Sequence, residues 1–413
     1  MGSKFGDKLR RARMDLGLTQ SQLGAQKYST SYISLLETGS REPTPEIITE
    51  LSKRLGIERD VMEAWNTPVS PDEAQFVLLE HRARASMTAH DYSDACDTAA
   101  EAAELAQSMK NSSAWWNMSF LRAEGLRELG RMEDFLRAAD EVLAHPLTDE
   151  SEALKVRAET LVASANQGAG RLYLGVEHAL KATALAEDSL PAASLFAIEA
   201  RFALIACLAE SGQLDEAWRA CQRLDEVVSG DVPAQSAGAA HWAIGNVAFL
   251  RQDIDEGLRH HNLAAERLHP RSDIELWTRF NKASASARIS AGAVEPATLA
   301  CIERAEQALS VIGDLGTEGL ELQVIRARWQ HVNGDAAGAL LALEPVQDRL
   351  GELPQQVKGE VELLTGRCQL ALGELDDALK HLNAAREDFV GAGAPERAVL
   401  AVELATQLRA TRR

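Results

Sequence analysis

The sequence predicts an all-α protein: a small N-terminal helical domain, then a solenoid of about eight helical hairpins. Three observations predict this. Apolar residues in the first 65 positions recur at spacings of three and four, as one face of a helix requires. From residue 72 on, a Gly-containing turn, an apolar residue, an acidic pair and a small residue recur about every 40 residues. Charge divides the chain at the same place: residues 1–65 hold 10 Lys and Arg against 9 Asp and Glu, whereas the whole chain is −19, leaving residues 66–413 at −20. Such a body repels polyanions, so contact with nucleic acid is expected from the small domain alone.

The first helix places Phe5, Leu9, Ala12 and Leu16 on one inward stripe. Its outer face is basic, with Lys4, Lys8, Arg10, Arg11 and Arg13 against Asp7, an excess suited to phosphate contact. Thr19 is the expected N-cap of a short helix from Gln20 to Ala25 that carries Leu23. Gln26-Lys27-Tyr28 then bridges to a second short helix in which Ile33 and Leu36 face a core while Thr30, Ser31, Ser34 and Leu35 face out. Gly39 closes that helix, and the pair reads as helix-turn-helix. Thr44 and Pro45 open a further helix with Ile47, Ile48, Leu51 and Leu55 inward, ended by Gly56. A short helix from Glu58 to Trp65 follows, and Asn66-Thr67-Pro68-Val69-Ser70-Pro71 reads as the linker, giving domains at 1–65 and 72–413.

Leu18-Thr19-Gln20 followed by Ser31-Tyr32-Ile33-Ser34-x-x-Glu37-x-Gly39-x-Arg41-x-Pro43 resembles the lambda-repressor-like, xenobiotic-response-element class of DNA-binding domains over residues 1–65. In that family the second short helix enters the major groove. The resemblance implies Gln20 as a clamp on the DNA, Thr30, Ser31 and Ser34 as base readers, and Tyr32 as a phosphate contact; Arg10, Arg13 and Arg41 complete the expected DNA-binding set. The bridge Gln26-Lys27-Tyr28 is a residue shorter than the family's usual turn and lacks its Gly.

Clear repeat copies begin at Gly212, Gln252, Gly292, Gly334 and Gly373, with weaker ones over 90–95, 130–135 and 175–179. Their last residues stand at 95, 135, 179, 217, 257, 297, 339 and 378, separated by 40, 44, 38, 40, 40, 42 and 39. Each unit reads as helix, turn and helix, the second helix opening on acidic residues that its dipole favours. This resembles the tetratricopeptide repeat with a longer period. Stacked hairpins build a superhelix with a concave channel, and the segment from Pro395 to Leu408 is expected to cap its end.

Enzymatic motifs are missing: there is no phosphate-binding G-x-x-x-x-G-K-[ST], no H-E-x-x-H and no G-x-S-x-G. His260 and His261 are adjacent, so on a helix they point about 100° apart and cannot chelate one metal together. Neither a metal nor another cofactor is expected. The five cysteines are scattered and odd in number, which reads as reduced packing residues of a cytoplasmic protein. No stretch approaches the roughly 20 apolar residues of a membrane helix, and no apolar leader follows Met1.

In tetratricopeptide proteins the first helix of each hairpin lines the concave face. Alignment by the turns then selects Asn117, Phe120, Glu124, Arg127, Glu199, Phe202, Trp242, Asn246, Arg279, Lys282, Ser286, Glu321, Arg328 and Arg367. Asn amides pair with a peptide backbone, and Arg or Lys takes a carboxylate. The competing reading of the cations is salt bridges to acids on neighbouring helices.

A repressor-like domain followed by a tetratricopeptide array resembles the peptide-pheromone-receptor regulators of Gram-positive bacteria. The resemblance implies a homodimeric transcription regulator that binds an inverted-repeat operator in double-stranded DNA and senses a short peptide or other small ligand in its channel. Two other readings stay open: an array that docks a partner protein, and a constitutive repressor whose array only dimerises.

Overall fold

Helices make up 81% of the described residues of this computed structural model, which are 4–65, 70–313 and 317–411, and no strand occurs among them. None of their helices is long and apolar enough to cross a membrane. The chain divides into two compact units, Met1–Leu129 and Gly130–Arg413.

In the first unit, α1 (Lys4–Asp15), α2 (Gln20–Gly24), α3 (Thr30–Glu37), α4 (Pro45–Leu55) and α5 (Arg59–Ala64) surround Phe5, Leu9, Leu23, Ile33, Leu36, Ile48, Leu51 and Met62. Thr19 caps α2 through a reciprocal box with Gln22, and Ser29 caps α3 by accepting from the Tyr32 amide. The expected inward stripe of α1 holds for Phe5 and Leu9 but not for Leu16, which is 53% exposed. The helix stops at Asp15, and left-handed Gly17 turns the chain so that Leu18 packs on the core instead. Thr44 has the extended backbone of an N-cap, yet its hydroxyl donates to Glu46 at 2.6 Å rather than capping. Gly6 lets α1 touch the end of α3: a Cβ there would sit 2.3 Å from the Glu37 carbonyl oxygen and 2.5 Å from that of Leu36.

Of the expected linker, residues 66–69 lie outside the described residues, while Ser70 and Pro71 already belong to the next helix, where Ser70 and Glu73 form a capping box. That helix, α6 (Pro71–Thr88), forms a hairpin with α7 (Tyr92–Ser108), and α8 (Ser112–Glu128) packs on α7.

The second unit opens with α9 (Met132–Leu143) and the single turn α10 (Pro146–Asp149). Hairpins follow: α11 (Glu152–Gly168) with α12 (Leu172–Ser189), α13 (Leu195–Glu210) with α14 (Leu214–Val228), α15 (Ala234–Leu250) with α16 (Ile254–Arg267), α17 (Ile274–Ser290) with α18 (Pro296–Ile312), α19 (Glu318–Val332) with α20 (Ala336–Asp348), and α21 (Gln355–Leu372) with α22 (Leu375–Gly391). A last helix, α23 (Pro395–Thr411), packs on α22 through Ala398, Ala401 and Ala405. The first helices α11, α13, α15, α17, α19 and α21 each pack on the next, whereas the second helices touch one another less. The first helices therefore form the tighter layer.

The turns carry the repeat. His90, Gly130, Gly170, Gly212, Gln252, Gly292, Gly334 and Gly373 all have positive φ, at spacings of 40, 40, 42, 40, 40, 42 and 39 residues. The third copy thus begins at Gly170, not at Gly175 as the pattern alone suggested. Gly175 is instead the small residue of that copy, where a Cβ would lie 3.1 Å from Cys207 Sγ and 3.3 Å from the Ala163 carbonyl oxygen. With this correction the period is more even than the sequence pattern indicated. All five cysteines are buried and unpaired in disulfides, and burial pushes the Cys221 thiol up to about 12.

Candidate functional site

Helix α3 exposes Thr30 and Ser31 with Ser34 half-exposed beside them, while Ile33 and Leu36 are buried on its opposite face. Its position is fixed from behind by Glu37. That carboxylate accepts from Arg13 Nε at 2.5 Å and Arg13 Nη2 at 3.0 Å, and from Gln20 Nε2 at 2.8 Å. Arg13 also donates to the Leu18 carbonyl at 2.7 Å. Burial pushes the Glu37 pKa up, but the hydrogen bonds from Arg13 and Gln20 outweigh it and hold the carboxyl below its usual range.

This alters two of the expected roles. Arg13 is half-buried and committed to Glu37 and Leu18, so it is a brace inside the domain and not a free phosphate contact. The Gln20 amide likewise donates inward to Glu37, tying the start of α2 to the end of α3. Arg10, by contrast, is exposed. Tyr32 is half-buried and stacks on Tyr28 with ring centroids 5.5 Å apart, while the Arg41 guanidinium lies 4.9 Å above the Tyr32 ring. The residue after α3 that carries positive charge is thus held by a cation–π contact. Below Tyr28, Arg54 donates to the carbonyls of Leu23 and Gly24 at 2.8 and 2.5 Å, fixing the end of α2.

On the array, several residues expected to face a ligand serve other ends. Phe120 is 8% exposed and stacks on Trp116 at 5.1 Å, which makes it core. Phe202 packs half-buried against the core of α13 and α14, and Trp242 meets Phe280 edge-on at 5.8 Å. Lys282 bridges α17 to α19 through Glu318 at 3.2 Å and Glu321 at 3.0 Å, so the salt-bridge reading of the cations holds there. Arg127 pairs with its neighbour Glu128. Asn117 and Arg279 are exposed.

Asn246, Arg328 and Arg367 remain as cavity-lining groups. Asn246 lines a cavity of about 730 Å³ with Phe249, Leu250, Ile254, Ala287 and Ser290. Its side-chain oxygen lies 3.1 Å from His261 Nε2. A second cavity of about 370 Å³ is lined by Arg328, Arg367, Arg397, Glu360, Glu396 and Leu400. Arg328 Nη2 donates to Ser290 Oγ at 3.1 Å, which joins a lining residue of each cavity. Arg397 is paired with Glu360, and Arg367 has no ion-pair partner among the described residues. Burial first, and the neighbouring Arg328 second, hold the Arg367 pKa below its usual value. The cavity is therefore suited to an anion. Ser290, Glu360 and Arg397 escaped the sequence reading because it took lining residues only from selected turns of the first helices, and Arg397 belongs to the last helix.

The paired histidines part as expected. His261 turns to Asn246 and to Ser284 Oγ at 2.9 Å, whereas His260 turns to His241, Nδ1 to Nδ1, at 3.1 Å. Asp225 Oδ1 lies 3.5 Å from His241 Nδ1. Burial pushes His241 down and His260 down to about 4, so both imidazoles are neutral at pH 7.

The family model described as helix-turn-helix matches residues 9–62. Those residues form a helix-turn-helix domain. No curated protein matches the chain. Among solved structures, a Rap protein complexed with Competence and Sporulation Factor superimposes with a TM-score of 0.51 at 12% identity, over 98% of both chains. Bacillus thuringiensis PlcR in complex with the peptide PapR7 and DNA gives 0.42 at 15% identity, over 64% of this chain and 94% of that one. The Rap conjugation gene regulator of plasmid pLS20 in complex with the Phr* peptide gives 0.44 at 12% identity, over 81% and 97%. The first of these establishes a shared fold of tetratricopeptide-like hairpins behind the helix-turn-helix domain.

Proposed function

We propose that this chain is a sequence-specific DNA-binding transcription regulator whose repeat array senses a short peptide or other small anionic ligand. The observation that carries the reading is α3: its hydroxyl-bearing face of Thr30, Ser31 and Ser34 is open to solvent, while Glu37, Arg13 and Gln20 hold it rigidly from behind. A rigid helix with short hydrogen-bonding side chains fits the major groove, where hydroxyls meet donors and acceptors of the base edges. Arg10 and Arg41 supply phosphate contact at its flanks, with Arg41 steadied by Tyr32.

The ligand lies along the first-helix layer. Its apolar part occupies the cavity beside Asn246, and its carboxylate sits between Arg328 and Arg367. Hydroxyl readers on one short helix give modest affinity, so two copies act as a homodimer on an inverted repeat with half-sites about 34 to 36 Å apart or a multiple of that. The ligand controls DNA binding by favouring one arrangement of the packed hairpins, and a differential affinity of about 1 to 3 kcal/mol changes DNA affinity by roughly 5 to 150-fold.

The test is a thermal-shift screen of the full chain against short peptides with free or amidated C-termini, followed by DNA binding with and without the hits. Stabilisation confined to free carboxylates, abolished in Arg367→Glu, supports the reading. A tight complex with a folded protein and no response to any peptide would replace it with the docking scaffold.

A further inference from the structure

We infer that Asp225, His241 and His260 form a divalent-metal site, best suited to zinc, that pins three consecutive helices of the array. Asp225 comes from α14, His241 from α15 and His260 from α16, so the site joins the second helix of one hairpin to both helices of the next. A tetrahedral zinc with bonds of about 2.0 to 2.1 Å sets its donors about 3.3 to 3.4 Å apart. The His241 Nδ1 to His260 Nδ1 distance of 3.1 Å and the His241 Nδ1 to Asp225 Oδ1 distance of 3.5 Å bracket that edge, and one donor atom from each of the three residues lies within 4.8 Å of the others. Two imidazoles and one carboxylate are a borderline donor set that suits zinc above magnesium or calcium. The histidines are buried, whereas the Asp225 side chain is 34% exposed and leaves an approach from solvent for the ion and for a water as fourth ligand.

The surrounding residues say how His260 is switched into a ligand. Arg259 Nη2 now donates to His260 Nε2 at 2.6 Å, which puts the His260 proton on Nδ1, facing His241. Metal binding needs the other tautomer, with Nδ1 free and Nε2 carrying the proton. Glu256 is placed to accept that proton's hydrogen bond, 3.8 Å from His260 Nε2, once the half-exposed Arg259 side chain swings to solvent. Glu256 would then orient a metal-bound imidazole, as carboxylates commonly do behind such ligands. Arg259 is a competitor of the metal, since it stabilises the wrong tautomer and adds a positive charge. Occupancy would fasten α16, and with it His261, whose contact with Asn246 forms part of the wall of the larger cavity.

The test uses chelator-treated full chain titrated with zinc chloride by calorimetry, and with cobalt chloride to read the visible bands of a tetrahedral ion. The expected result is one ion per chain with tetrahedral cobalt bands. Asp225→Asn, at a partly exposed position, weakens binding at least ten-fold, Glu256→Gln weakens it ten- to hundred-fold, and Arg259→Ala tightens it. His260→Gln removes the bands; should that variant unfold, Asp225→Asn still decides. A chain that binds no ion, or one whose affinity is the same in Asp225→Asn and Arg259→Ala as in the parent, would overturn the assignment and leave a hydrogen-bonded histidine pair.

Discussion

Gln20 Nε2 lies 2.8 Å from Glu37 Oε2, so the amide that opens α2 is tied to the carboxylate that closes α3. Together with Arg13, this contact braces the two helices of the proposed DNA-facing surface against each other. Two side chains 17 positions apart in the sequence thus tie the start of one short helix to the end of the next.

The first prediction concerns that hub. The Glu37 side chain is 3% exposed and that of Arg13 11%, so Arg13→Ala strands a buried carboxylate, at a cost of about 3 to 5 kcal/mol. Thermal denaturation of the parent and variant checks this, with Arg10→Ala expected to melt like the parent. The pair also has a pH signature. The folded pKa of Glu37 lies below its unfolded value of about 4.3, so its stabilisation is complete above that pH and is lost as pH falls through the folded pKa.

The second prediction separates reading from positioning. Thr30→Ala or Ser31→Ala should cost about 1 kcal/mol or more on the specific operator and little on random DNA, whereas Arg10→Ala should weaken both and reduce the salt slope by about one. Competition anisotropy on the two DNAs measures it; equal losses on both for Thr30 and Ser31 remove them as readers.

The third concerns packing. Gly6→Ala drives a methyl into the Leu36 and Glu37 carbonyl oxygens, and should destabilise the first five helices by about 1 to 3 kcal/mol. Chemical denaturation followed by the Trp65 fluorine resonance of the 5-fluorotryptophan-labelled chain, which separates it from the other six tryptophans, reads this, since Trp65 rests against Phe5 at 6.1 Å. An unchanged midpoint would mean that α1 shifts freely.

The fourth concerns the array. Lys282→Glu should lower its melting temperature, because Glu318 and Glu321 lose their shared cation, yet leave ligand affinity near the parent's. Arg367→Glu should do the reverse. Calorimetry with a peptide hit and its amidated form distinguishes the two.

The fifth is a pH effect with the opposite residue type. His260 is held neutral with a pKa of about 4, against about 6.5 unfolded, so the unfolded chain binds more protons between those values. The array should lose stability as pH falls from about 6.5 to 4, and His260→Gln should flatten that slope.

Much of the fold was legible because periodicity reports it directly. Ile33 and Leu36, three apart, are both buried, and the left-handed turn residues recur almost evenly. What escaped depends on contacts between distant residues. Leu16 continues the stripe of α1 on paper, but the helix ends one residue before it, and a termination by Gly17 outranks periodicity. Arg13 and Lys282 are basic residues whose partners lie 24, 36 and 39 positions away, so their charge was visible and their commitment was not. His260 was set aside because its neighbour His261 points elsewhere; the residue it meets, His241, belongs to the previous helix. Arg328 and Arg367 line one cavity because both occupy the same place relative to their turns, six residues before Gly334 and Gly373.

The most direct measurement is selection of duplexes from a random pool by the full chain, followed by binding of the enriched duplex to the full chain and to residues 70–413 alone. The account predicts one enriched inverted repeat, bound by the full chain with steep salt dependence and not by the array. An array that binds the enriched duplex as tightly as the full chain, or a pool from which no common sequence emerges, would contradict it.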